Sequence, residues 1–155
     1  MKALRVSLFL VIAISASIFA DSAPTPTPDI DTLSRADILN RTELSIELIE
    51  IDVQVAKNMR IELSLKKTVA LFKARDGEAK KEFLKEIAHL EDWMKQVLKL
   101  KEAQLATLTG AQKKIKEVKT DASARKIYSG ALSFFSTQEK ELEKLYESAK
   151  NGEGM

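Results

Sequence analysis

Residues 83–122 read FLKEIAHLEDWMKQVLKLKEAQLATLTGAQKKIKEVKTDA, and they place Phe83, Ile87, Leu90, Met94, Val97, Leu108, Ala111, Ile115, Val118 and Ala122 at alternating steps of three and four. Two further positions of the series, Lys101 and Gln104, are polar. That spacing stacks side chains along one face of an α-helix, so the segment needs an apolar partner surface. The rest of the chain is read for what supplies it.

Composition points to helices throughout. The chain has 155 residues, 45% of them hydrophobic, which suits one compact domain rather than a disordered chain. Its three prolines fall at Pro24, Pro26 and Pro28, and five glycines leave little turn punctuation for a many-stranded sheet. The expected fold is all-α: an antiparallel bundle of three or four long amphipathic helices with coiled-coil-like packing. No cysteine is present, which removes disulfides, thiolate nucleophiles and zinc–cysteine sites.

The N-terminus has the layout of a secretory signal peptide over residues 1–20. Lys2 and Arg5 make a basic start, Val6–Phe19 is an apolar run, and Ala20 is a small residue suited to cleavage before Asp21. The apolar run falls short of the roughly 20 residues needed to cross a bilayer, so no stable span is expected after cleavage. Location is then extracellular, or periplasmic in a bacterium. Without residues 1–20 the chain has 23 basic and 23 acidic residues and a formal net charge of zero. That balance argues against nucleic acid as a partner, since phosphate backbones attract a positive surplus. Residues 21–65 hold 4 basic and 9 acidic side chains, and residues 66–119 hold 14 and 8, so the two segments attract each other if they pack side by side.

Residues 21–30 form a Pro/Thr-rich arm expected to be extended and disordered. The domain proper is expected over residues 31–150, with residues 151–155 as a frayed tail. Asn40-Arg41-Thr42 is an N-x-T sequon, making Asn40 a candidate N-glycosylation site; the competing reading is a helix cap completed by Glu43. Between them, Leu44, Leu48, Ile51, Val55 and Met59 form a stripe widened by Ile46, Ile49, Val53 and Ala56, which predicts the most buried helix. Gly77 marks the first break, with Asp76 as a candidate cap for the next helix. Thr109 and Gln112 offer a second cap around Gly110, and favour two in-phase helices over one long one. A last helix is expected over residues 121–150, started by Thr120 or Asp121, with Ser136 and Glu139 as a further box that would split it.

Chemistry is sparse. His89 is the only histidine, and with Asp92 it makes neither a metal cage nor a nucleophilic triad. No phosphate loop, nucleophile elbow or metalloprotease motif occurs, so no catalytic residue, cofactor or metal is assigned. Trp93, Met94, Tyr128, Phe134 and Phe135 are candidate linings of a hydrophobic-ligand cavity between helices, with core packing as the alternative. Leu108-Thr109-Gly110-Ala111-Gln112 resembles the short L-T-x-x-Q motif of small helical periplasmic chaperones; the resemblance spans five residues and implies a holdase without assigning a site. The expected function is therefore a secreted, non-enzymatic binding or interaction protein with a protein or lipid partner. Its alternatives are a carrier of fatty acid or other hydrophobic ligand, a self-associating coiled coil, and the holdase.

Overall fold

The structure is a computed structural model, and the residues it describes are 29–73 and 77–151. The expected signal peptide, residues 21–28 of the arm, the Asp76 cap and residues 152–155 lie outside them. Ile30–Thr32 form a short 3-10 helix in which the Thr32 N–H donates to the Asp29 carbonyl at 2.9 Å. The domain that follows consists of three helices packed against one another: α1 (Arg35–Lys73), α2 (Glu78–Glu117) and α3 (Asp121–Asn151). No strand occurs among the described residues.

Two of the three helix starts carry a side-chain cap, and α2 begins after Gly77 without one. Ser34 and Asp37 form a reciprocal cap: the Asp37 N–H donates to Ser34 Oγ at 3.1 Å, and the Ser34 N–H donates to Asp37 Oδ2 at 3.1 Å. This pair begins α1 ahead of Asn40, which consequently lies inside the helix and does not cap it. At α3, the Ser123 N–H donates to Thr120 Oγ1 at 3.3 Å, the role expected of Thr120. The two predicted interruptions are absent. α2 runs unbroken through Thr109 and Gly110, because Leu108 and Ala111 on either side are buried in the core and hold the turn helical. A mid-helix glycine weakens a helix by only about 1 kcal/mol, which tertiary packing outweighs. α3 likewise continues through Ser136 and Glu139.

The Phe83–Ala122 series faces inward over most of its length. Ile87, Met94, Val97, Leu108, Ala111 and Ile115 are buried, while Ala122 falls on the exposed first turn of α3. Of its polar members, Lys101 reaches Asp52 at 2.6 Å, joining the acidic and basic segments directly. Gln104 is 0% exposed, and neither polar atom of its carboxamide has a hydrogen-bond partner. Contacts with α1 run in opposing chain order: Arg35 meets the carbonyls of Ile115 and Lys116, Asp52 meets Lys101, and Lys67 meets Glu91.

The expectation that α1 is the most buried helix is overturned. Ile38, Thr42, Ile49, Val53, Ala56 and Leu63 are its core face, so three of the four residues read as widening the stripe, Ile49, Val53 and Ala56, are inside, and Ile46 is half-buried. Leu44, Leu48, Ile51 and Val55 point outward, with Leu44 59% and Val55 42% exposed. Two apolar faces, not one broad buried face, account for the dense hydrophobic pattern.

Candidate functional site: the outer seam of α1

Starting at Leu44 and stepping alternately by four and three gives Leu48, Ile51, Val55, Asn58, Glu62, Leu65, Val69 and Phe72, and every one of these side chains is exposed. The row covers about 40 Å of helix at 1.5 Å per residue, or four heptads. Seven of its nine members are large and apolar, and Phe72 at its end is 85% exposed. Nine of the ten large exposed apolar side chains among the described residues belong to α1, Phe134 of α3 being the other. Single exposed leucines need no explanation, but a contiguous row of them is a candidate interaction surface.

The seam is backed by a buried face. On its opposite side α1 buries Thr42, Ile49, Ala56 and Leu63, seven residues apart, so the core face is itself heptad-spaced. Thr42 is fully buried and its hydroxyl donates to the Ile38 carbonyl at 2.7 Å, keeping a polar group satisfied within the helix. Glu62 within the row is paired with Lys66 at 2.6 Å, and beside the row Lys57 reaches Glu102 at 3.5 Å. Charge divides along the helix. Residues 35–54 carry 2 basic and 5 acidic side chains, net −3, and residues 55–73 carry 5 and 1, net +4.

Beside the seam, Lys57, Arg60, Ile61, Ser64, Glu91 and Lys95 line an open groove of about 600 Å³ between α1 and α2. It is a surface trough rather than an enclosed ligand cavity.

The aromatic candidates are dispersed. Trp93 donates from Nε1 to the Leu145 carbonyl at 3.0 Å and meets Tyr146 edge-on, ring centres 5.6 Å apart, while the adjacent Met94 is buried. Tyr128 is buried in the same helix as Leu145 but 17 residues earlier, roughly 25 Å along the axis. Phe134 is exposed and Phe135 half-buried. Trp93 and Met94 therefore share a neighbourhood that Tyr128 does not enter. His89 is exposed, and Asp92 accepts a hydrogen bond from Gln96 Nε2 at 3.1 Å. Asn40 is exposed one turn before Leu44.

Comparison with protein-family models, curated proteins and solved structures returns no match. Among the described residues, no three His, Asp or Glu side chains converge as a metal-holding group, and no helix is long and apolar enough to cross a membrane.

The seam leaves a trace in the sequence. An ordinary amphipathic surface helix alternates one apolar stripe with a polar face, as α2 and α3 do. Between Leu44 and Phe72 the apolar residues fit two stripes at once, and the strand-like alternation of Ile49, Ile51, Val53 and Val55 is their superposition: Ile49 and Val53 point inward, Ile51 and Val55 outward.

Proposed function

We propose that this chain is a secreted, non-enzymatic interaction protein, an antiparallel three-helix bundle with coiled-coil-like packing that presents the outer seam of α1 to a partner helix. The observation that carries the reading is the exposed four-heptad row from Leu44 to Phe72. α2 and α3 serve as a backing that keeps α1 straight and its outer face ordered before a partner arrives, which lowers the entropic cost of association. The signal-like N-terminus and the Pro/Thr arm support export with a spacer ahead of the bundle. The zero net charge of the mature chain supports a protein partner over nucleic acid. Asn40 carries an N-linked glycan in this reading if the chain passes through a eukaryotic secretory pathway.

Serine at Ile51, Val55 and Leu65 tests the proposal. These side chains contribute to the outer seam and not to the buried core, so the triple variant keeps its helical circular dichroism. It loses association with itself or with any other seam-dependent partner. Undiminished association, or turnover of a small substrate by the pure mature protein, contradicts the reading.

A further inference from the structure

We infer that the partner is a second copy of this chain, whose α1 lies antiparallel along the same seam; this rests on the interaction reading above. The two polar members of the row decide the orientation. In an antiparallel coil whose two-fold axis crosses α1 near Arg60, Asn58 of each copy faces Glu62 of the other, Val55 faces Leu65, and Leu48 faces Phe72. The amide of Asn58 then donates to a carboxylate that its own Lys66 already neutralises at 2.6 Å. Three apolar layers flank this polar centre on either side, an arrangement in which a buried polar pair fixes register. A parallel coil would instead set Glu62 against Glu62, a like-charge contact inside an apolar seam.

The charge distribution selects the same orientation independently. In that register residues 47–54, with Glu47, Glu50 and Asp52 and net −3, lie along residues 66–73, with Lys66, Lys67 and Lys73 and net +3, whereas parallel packing sets each segment against its own sign. The exposed row also has the length such a pairing requires, since sustained heptads over three to four repeats are the mark of a coiled coil. Among the described residues no other helix offers a comparable face: the inner residues of the Phe83–Ala122 series are taken up by the core.

The absence of cysteine makes the test direct. Full-length chains carrying Leu48→Cys or Phe72→Cys are oxidised separately and mixed. The mixture forms a disulfide-linked dimer and neither variant alone does, because like positions lie about 36 Å apart along an antiparallel coil while a disulfide needs Cα atoms within about 7 Å. Cross-linking of Leu48→Cys with itself overturns the orientation. Sedimentation of the unmodified protein provides the second arm: it is a dimer, and serine at Ile51, Val55 and Leu65 raises the dimer Kd by at least about tenfold. A wild-type monomer at roughly 100 µM, a concentration at which even weak specific pairs associate, overturns the second copy as occupant. If that monomer instead co-sediments with phosphatidylcholine vesicles and the triple-serine variant does not, the seam serves a lipid surface, and the interaction reading survives without the dimer. A dimer unchanged by the triple substitution removes the seam from the interface, and both readings fail.

Discussion

Arg35, the first residue of α1, donates from Nε to the carbonyl of Ile115 at 2.9 Å and from Nη2 to that of Lys116 at 2.8 Å, at the far end of α2. The last carbonyls of a helix have no partner within it, so the guanidinium satisfies groups that would otherwise need water. Its own backbone N–H, equally orphaned at a helix start, donates to Asp121 Oδ1 at 2.9 Å, and Arg125 Nε returns a bond to the Leu33 carbonyl at 2.7 Å. One side chain thus ties the start of α1 to the end of α2 while its backbone is held by the start of α3.

Arg35→Ala is expected to destabilise the fold by roughly 1.5–3 kcal/mol, the range for charge-assisted hydrogen bonds. Urea unfolding followed by circular dichroism measures it. Arg35→Lys recovers less than half, because a point ammonium cannot reproduce the planar fork that reaches two carbonyls. An unchanged midpoint in the alanine variant would mean that water replaces the guanidinium without loss.

Gln104 is the converse case, a polar side chain whose removal helps. Its carboxamide is fully enclosed by the core and unpartnered, as is Oε1 of Gln138. An unsatisfied buried polar group costs roughly 1–3 kcal/mol, and leucine at position 104 has similar volume with no polar atom. Gln104→Leu should therefore raise stability by about 1 kcal/mol or more, read as a higher urea midpoint at unchanged slope. A lower midpoint would assign Gln104 a hydrogen bond in solution.

These two residues also show what a sequence discloses. The Phe83–Ala122 periodicity located the core face of α2 correctly because heptad spacing is set by helix geometry alone, and Gln104 already stood out as its polar exception. Thr120 was legible as a cap for the same local reason. The Arg35 contacts join positions 80 residues apart, and no local pattern encodes them. The orientation of α1 failed for a different reason. Both of its faces are apolar, so hydrophobicity could not rank them, and the choice of Ile49 over Ile51 for the core was made by packing against α2 and α3. Of the two readings of Asn40, the cap fails because Ser34 and Asp37 supply the same chemistry earlier in the chain.

Gly110 and Gly130 lie in the interiors of α2 and α3, and a Cβ added at either would meet nothing within 4 Å. Alanine at each site therefore gains helix propensity and restricts the unfolded chain without a clash, for about 0.5–1 kcal/mol apiece. The two positions lie on different helices, and the double variant should be additive within about 0.5 kcal/mol. Thermal unfolding of the two single variants and the double variant checks this; a loss at position 110 would show that the glycine permits a bend that α2 needs.

Tyr128 and Tyr146 are the only tyrosines, so phenolate absorbance reports on them alone. Burial raises both phenols above the usual value of 10.0; the positive charge of Arg41 partly opposes this at Tyr128, and the negative charge of Asp52 adds to it at Tyr146. A raised pKa means that the native state holds the proton more tightly than the unfolded chain. The stability this confers is complete below pH 10 and is lost as pH rises through the native values. The native titration should accordingly have its midpoint above 10 and fall back to about 10 in denaturant. Arg41→Ala, by removing the cation near Tyr128, should move the native curve further up. A native midpoint at the unfolded value would show that both hydroxyls reach solvent, which the close edge-on packing of Tyr146 against Trp93 opposes.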